Sequence, residues 1–335
     1  MLGIDVSKGT LAAALVDPIT HQVQWEQEFP NTSAGIARLL RRTPAHIPLV
    51  LEPTGRYGLA VVRQAMAEQR HVFVAQPRRA HAFLSALSPR AKTDRLDSRG
   101  LAVYGSCAVL APYPVKSEAV DQLDQLLTAR KGLSAALMRL RQQQDDLPYA
   151  AAALAPALVA LAAQVKDLDR QIAARTTAPA GSASPASDFP MATALDRVPG
   201  IGPVTAAALA SCLVNKHFPS SDAFVAYVGL DVRVRDSGKR RGHRALSKQG
   251  NAELRRLLYL CAQASLRTKT SPFRGQFERE RTKGLSTTAA LVAVARKLAR
   301  LSWSMVTNGT VFDPERVYTR PPRRATDEQI PSVSP

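Results

Sequence analysis

A chain of 335 residues with 45% apolar content is long enough for two domains with cores of their own and too apolar to be mostly disordered. Its 45 Lys and Arg against 27 Asp and Glu leave a net charge of +18, which points to a polyanionic partner, nucleic acid before an anionic membrane surface. No apolar run is expected to reach the ~18 residues of a spanning helix, the start at Met1 lacks the basic and apolar parts of a signal peptide, and Cys107, Cys212 and Cys261 are too scattered for a disulfide framework or a zinc site and read as buried thiols of a reducing cytoplasm.

In chain order, Leu2–Val6 and Thr10–Val16 are short apolar runs expected as strands, and His21–Phe29 alternates as a half-buried edge strand would. Asn31-Thr32-Ser33 caps a helix reaching about Arg42. Ile47–Leu51 reads as a buried strand closed by Glu52-Pro53-Thr54-Gly55. A helix from Tyr57 to Gln69, a strand from His71 to Ala75, a helix from Pro77 to Leu87 and a helix from about Leu96 to Val109 follow. Residues 1–112 are thus expected to form a mixed α/β sheet with helices on its faces. Over 113–175, Leu123, Leu126, Leu127, Leu133, Leu137 and Leu140 share one face of a long helix, Pro148 breaks it, and a second helix resumes through Val159, Leu161, Val165 and Leu168. This coiled-coil-like pair is either a dimerisation element or packs against the first domain. Residues 176–190 are rich in Ala, Ser, Pro and Gly and read as a flexible linker and the domain boundary. Residues 191–310 read as all helix with interrupting loops. They include helices at Asn251–Ser265 and Thr288–Met305, with Trp303 packed inside and a basic loop of Arg274, Arg279, Arg281 and Lys283. Residues 311–335 read as a disordered basic tail.

Asp94 and Asp97 stand on one helix face. They read either as a cap, with Asp94 at the N-cap and Asp97 at N3, or as ligands of one cation. Asp5 and Glu52 sit at the ends of the first and fourth expected strands, where α/β sheets gather functional groups. Four carboxylates are hard oxygen donors that suit Mg²⁺ or Mn²⁺, and two such ions can stabilise the attacking and leaving oxygens of a phosphoryl displacement. In a chain of net charge +18, acids beside phosphate imply a mediating metal.

Leu195 to Ala206, with Gly200 and Gly202, has the form of a helix-hairpin-helix whose backbone N–H groups can hold a DNA phosphate; a plain helix–turn–helix fits the same residues. Ser237 precedes Gly238 and the cations Lys239, Arg240 and Arg241, with His243 and Arg244 after them. By residues alone this is a phosphate-binding loop or a serine placed to attack a phosphodiester. Lys8, Arg78, Arg79, Lys92, Lys248 and Arg255 complete the expected nucleic-acid contacts.

Gly3-Ile4-Asp5-Val6-Ser7-Lys8, Glu52-Pro53-Thr54-Gly55 and Lys92-Thr93-Asp94-Arg95-Leu96-Asp97-Ser98 resemble the three blocks of the DEDD transposases, the Piv invertase-related recombinases of the insertion-sequence one-ten family. Gln76-Pro77-Arg78-Arg79 with Ala82-Phe83 resembles the block before the third motif. Tyr227-Val228-Gly229-Leu230, Ser237-Gly238-Lys239 and Ala245 to Asn251 followed by Leu254-Arg255-Arg256-Leu257-Leu258 resemble the family's C-terminal transposase domain. The resemblance implies a RuvC-like (RNase H-fold) domain in which Asp5, Glu52, Asp94 and Asp97 bind metal. It also implies that Ser237 is the nucleophile that links covalently to DNA, with Ser247 as the competing candidate. Donor and target DNA, a structured noncoding bridge RNA, and a homodimer or homotetramer with sites shared between protomers are the implied partners, in a bacterial, nucleoid-associated setting. Two positions depart from the family: Asp236 stands where a paired serine is common, and Asp231 where proline is common. Outside the resemblance, a Holliday-junction nuclease using the four acids with water, or a non-catalytic nucleic-acid-binding protein, fits the same composition.

Overall fold

Side chains alternate along a strand, so Leu2, Ile4 and Val6 point to one side of the first strand while Gly3 and Asp5 point to the other. The computed structural model describes residues 1–52, 55–87, 93–113, 116–176, 189–233 and 245–317. The chain divides into two compact units, Met1–Val115 and Lys116–Pro335.

The first unit runs β1 (Leu2–Val6), β2 (Thr10–Val16), β3 (Val23–Pro30), α1 (Ser33–Arg42), β4 (Leu49–Leu51), α2 (Arg56–Ala67), β5 (Val72–Val74), α3 (Pro77–Leu87), α4 (Asp94–Cys107) and β6 (Ala111–Pro112). Its single sheet has the order β3-β2-β1-β4-β5-β6. Strands β1 to β3 form an antiparallel meander, β4 and β5 run parallel to β1, and β6 returns antiparallel to β5. This is the mixed sheet with helices on its faces that the sequence predicts. The outer strand β6 was not legible in the sequence, because two residues carry no periodicity.

Leu2, Ile4, Leu49 and Leu51 pack on one face against Ile36, Leu39 and Leu40 of α1 and Val61, Val62 and Ala65 of α2. On the opposite face Val50 meets Ala80, Leu101 and Tyr104 from α3 and α4. There α4 lies directly on β1, because Gly3 has no side chain: a Cβ at that position would stand 2.1 Å from the Ser98 carbonyl oxygen and 2.5 Å from the Ala102 nitrogen. Both are backbone atoms of a helix and cannot rotate away. Gly3→Ala is therefore expected to lower unfolding free energy by about 2–3 kcal/mol, the upper range for an overpacked core, as read from denaturant melts of the full chain. An unchanged midpoint would mean that α4 does not rest on β1.

The second unit comprises α5 (Glu118–Asp146), a one-turn 3₁₀ helix at Pro148–Ala150, α6 (Ala151–Thr176), α7 (Pro190–Asp196), α8 (Pro203–Asn215), α9 (Ser221–Val228), β7 (Val232–Arg233), β8 (Ala245–Leu246), α10 (Ala252–Ser265), α11 (Arg274–Thr282) and α12 (Thr287–Asn308). The break at Pro148 falls as expected. Val120, Leu123 and Ile172 at the base of the α5–α6 pair share one core with Leu195, Leu209, Phe224, Leu258 and Leu298. The division into units consequently falls before α5, whereas 176–190 joins two helices of the same unit. Thr176 ends α6, Pro190 starts α7, Phe189 between them is buried, and 177–188 lies outside the described residues.

Four further expectations change. Pro148–Thr176 spans 29 residues with a window of mean hydropathy 1.6, long and apolar enough to cross a membrane by length and composition alone. Its Asp169 pairs with Arg130 of α5, while its Val159 and the Met138 of α5 stay exposed. Cys261 is buried, but Cys107 is exposed at the end of α4. Arg274, Arg279 and Arg281 belong to helix α11 rather than to a loop, and Arg274 donates to the Leu266 carbonyl at 2.6 Å. The expected tail begins with ordered chain, since Val317 is buried in the second core.

Candidate active site

In β1 and β4, parallel neighbours with Ile4 opposite Leu51, Asp5 and Glu52 each come one residue later. They therefore leave adjacent strands at the carboxyl edge, on the side covered by α4. The third block arrives from above. Thr93 is the N-cap of α4, its hydroxyl accepting from the Leu96 amide at 3.2 Å. The capping role expected for Asp94 and Asp97 thus belongs to Thr93, because a β-region threonine before the helix can turn its hydroxyl back onto the free N–H groups. Both aspartates remain in the first turn, where the helix dipole favours their charge. The cations interleaved with them are diverted: Arg95 pairs with Glu28 at 3.2 Å and Arg99 with Glu26, both on β3.

The charges of the other three acids reach Asp5. Asp5, half-buried, has its carboxyl pushed up from 3.8 to about 6, first by burial and then by the charges of Asp94, Asp97 and Glu52, against a pull downward from the Val6 amide. Like charges at one place disfavour ionisation. Among the described residues no three His, Cys, Asp or Glu side chains close tightly enough in these rotamers to hold an ion. The donor set is nonetheless all carboxylate oxygen, which fits a hard divalent cation. Asp94 is exposed, and Asp97 and Glu52 are half-buried.

A pH dependence follows. The folded chain holds the Asp5 proton up to about pH 6 while the unfolded chain releases it near 3.8. This contribution to stability is fully present below 3.8 and is lost as pH rises through about 6. A divalent cation must displace that proton. Titration calorimetry with Mg²⁺ in two buffers of different ionisation enthalpy should therefore record proton release at pH 5 and almost none at pH 8. Equal release at both would remove Asp5 from the ligand set.

Asn31 was read in the sequence only as part of a helix cap, yet it braces this edge. Its Nδ2 donates to the Ser7 carbonyl at 2.9 Å and to the Tyr57 carbonyl at 3.1 Å, joining the turn after Asp5 to the helix that follows Glu52. No sequence signal distinguishes such a brace from the cap beside it. Around the acids, Lys8 is exposed in the β1–β2 turn and Arg78 and Arg79 are exposed at the start of α3, while Lys92 lies outside the described residues.

In the second unit, α7 and α8 form the expected hairpin. Gly200, at φ +93, is the point of contact with α10: a Cβ there would stand 2.4 Å from the Cys261 carbonyl oxygen. Its missing side chain lets the hairpin pack on α10, whereas Gly202 is the N-cap of α8 with open space around it. A feature that the helical reading missed is the two-stranded ribbon β7–β8, with Val232 opposite Leu246 and Arg233 opposite Ala245. The segment 234–244, with Ser237, Lys239, Arg240, Arg241 and Arg244, lies outside the described residues; the chain leaves for it and returns from it at paired strands.

At the ribbon base the Ser247 hydroxyl bonds the Asp231 carboxylate and accepts from the Gln249 amide at 3.2 Å, so the competing serine is committed to holding the turn. Lys248 is exposed. Arg255 is half-buried, and its Nη1 donates to the Val228 carbonyl at 3.0 Å at the end of α9. The basic face expected with Arg256 is neutralised, since Glu253 pairs with both Arg256 and Lys131.

Comparison with known proteins matches residues 2–147 to the family described as "Transposase", the DEDD type of IS110, and residues 192–278 to the "Transposase IS116/IS110/IS902 family". The pilin gene-inverting protein of Moraxella lacunata is 26% identical over 320 residues, covering 93% of this chain and 97% of that protein. The transposase for insertion sequence element IS1328 of Yersinia enterocolitica is 36% identical over 130 residues, 38% of this chain and 39% of that protein. Among solved structures, T. thermophilus RuvC in complex with a Holliday junction substrate aligns with 34% of this chain and 99% of its own at 14% identity and a TM-score of 0.28.

Proposed function

This chain belongs to the IS110-type DEDD transposases, enzymes of DNA cleavage and rejoining, and on that premise we infer that it recombines insertion-sequence DNA through a covalent serine intermediate, with a divalent cation held by Asp5, Glu52, Asp94 and Asp97. One observation carries the metal part: three carboxylates, Glu52 after β4 and Asp94 and Asp97 in the first turn of α4, act together on the carboxyl of Asp5. Mg²⁺ or Mn²⁺, when bound there, supplies a positive charge that stabilises the oxygens of a phosphoryl displacement.

The chain's own residues do the rest. The Ser237 oxygen forms a bond to the scissile phosphorus, the bond from phosphorus to the 3′ oxygen breaks, and the serine proton passes to that oxygen. The products are a 5′-phosphoserine and a free 3′-hydroxyl. Attack by the 3′-hydroxyl of another strand releases Ser237 and restores one phosphodiester for the one broken, so no external energy is required. Lys239, Arg240 and Arg241 offset the charge that builds on the phosphoryl oxygens. Lys8, Arg78, Arg79, Lys92 and Lys248, with the α8 N-terminus at Gly202, hold backbone phosphates and fix register without reading bases.

Target choice by a structured noncoding RNA is part of the same reading: a chain of net charge +18 offers a large phosphate-binding surface, and none of the motifs identified in the sequence is a base-reading module. A homodimer or homotetramer is supported by the exposed apolar side chains along α5 and α6. The test is to incubate the full chain with insertion-end DNA and Mg²⁺, denature it, and look for DNA attached to protein. An adduct in the wild type that is lost in Ser237→Ala supports the serine pathway.

A further inference from the structure

Helix α12 reads in the sequence as an apolar core helix, but it carries Arg296, Lys297 and Arg300 within a little more than one turn. Residues three and four apart are neighbours on a helix, so Arg300 lies beside both of the others. The Arg300 guanidinium is paired with Asp222 at 2.7 Å. Arg296 and Lys297 are half-buried and, among the described residues, have no acid partner. The Nε of Arg296 is buried and bonded to nothing in the described chain. A buried donor without an acceptor costs about 1–3 kcal/mol.

Burial and the neighbouring Arg300 weigh on both cations. Arg296 is pulled below its ordinary value by burial and then by Arg300, with Asp222, Asp231 and Glu280 opposing. Lys297 is pulled down by burial and then by Arg300 and Arg279. Each of the three acids has another partner: Asp222 has Arg300, Glu280 has Lys283 at 2.9 Å, and Asp231 has the Ser247 hydroxyl. Asp231 also fixes the location. It leads into β7, and Ser247 follows β8, so the acid that faces Arg296 stands at the base of the ribbon from which the 234–244 segment departs. Helix α12 packs on α9, whose end runs directly into Asp231.

We propose that Arg296 and Lys297 form a phosphate-binding site for the DNA strand that the Ser237 segment acts on, holding that strand at the base of the ribbon. An arriving phosphate would satisfy the Arg296 Nε and relieve the repulsion among Arg296, Lys297 and Arg300, so a feature that weakens the free protein becomes an attraction in the complex. The inference rests on the reading of Ser237 as the nucleophile, and it can fail separately. DNA binding is read without divalent cation, so no chemistry intervenes, whereas the serine reading fails through the adduct.

The experiment compares the full chain with its Arg296→Gln/Lys297→Gln variant, measuring affinity for a short duplex DNA of arbitrary sequence across a salt series. Each phosphate contact contributes about 0.9 to the slope of log K against log salt. The variant should lose about two from that slope and about tenfold affinity per cation near ~0.1 M salt, with its melting temperature unchanged or raised. An unchanged slope overturns the proposal, as does a lower melting temperature with an unchanged slope, which would make the pair structural. A structured RNA measured in parallel decides the strand, and slope lost for RNA alone overturns the assignment to DNA. If the variant does not fold, acylation of Lys297 in the wild-type chain decides: bound duplex should slow it severalfold, and an undiminished rate overturns the site.

Discussion

Ser237→Ala is expected to abolish the covalent protein–DNA adduct and to lower strand cleavage by about 10⁴–10⁶-fold, the scale of removing a catalytic nucleophile. The substitution deletes one oxygen and leaves the cations at Lys239, Arg240 and Arg241 in place. DNA affinity and its salt slope should therefore stay as in the wild type, because phosphate binding is electrostatic and independent of the hydroxyl. Three outcomes separate the chemistries. Loss of adduct and cleavage together supports the serine pathway. Cleavage at the wild-type rate with no adduct in either protein would make water the nucleophile, as in a junction nuclease built on the same acids. An adduct that persists in Ser237→Ala would move the nucleophile elsewhere, and Ser247, bonded to the Asp231 carboxylate, would be the next residue to replace.

Asp5→Asn should lower cleavage by about 10³-fold or more, since it removes the central charge from a set that stabilises phosphoryl transfer. Its effect on stability should have the opposite sign. Asp5 is held uncharged up to about pH 6 by burial and by three neighbouring carboxylates, so above that pH the folded chain contains repulsion that Asn does not create. The variant should melt higher than the wild type at pH 8, and the difference should vanish well below 3.8, where Asp5 carries a proton in the folded and the unfolded chain alike. Added Mg²⁺ should raise the wild-type melting temperature at pH 8 much more than that of the variant, because a ligand stabilises only the state that binds it. A variant that is inactive but less stable at pH 8 would make Asp5 a structural residue. A variant that cleaves normally would remove the metal reading altogether.

How much was legible follows the range of the forces involved. The apolar runs at Leu2–Val6 and Thr10–Val16, the threonine-capped helix after Asn31, the break at Pro148 and the helix after Asn251 are set by neighbours a few residues away, and each stands where local reading places it. The three acidic blocks were legible because residue type and position at element ends survive in one dimension. Some short-range signals were ambiguous. Thr93 and Asp94 both make good N-caps, and only the backbone geometry gives the role to Thr93. The ribbon β7–β8 is two residues on each side of a long segment, too short for any period to register.

By itself, then, the sequence determined the mixed sheet with helices on its faces and the helical second half, because composition, period and caps act locally. Tertiary structure alone decided which basic residues are free. Arg255 donates to the carbonyl end of α9 and Arg256 pairs with Glu253, while Arg296 and Lys297, in what reads as a core helix, keep unpaired charge. A cation's partner is chosen by what the fold brings within a few ångströms, and that information is spread over residues far apart in the chain. The same holds for the acids. The nearness of Asp94 and Asp97 to Asp5 depends on Gly3, whose missing side chain lets α4 settle on β1.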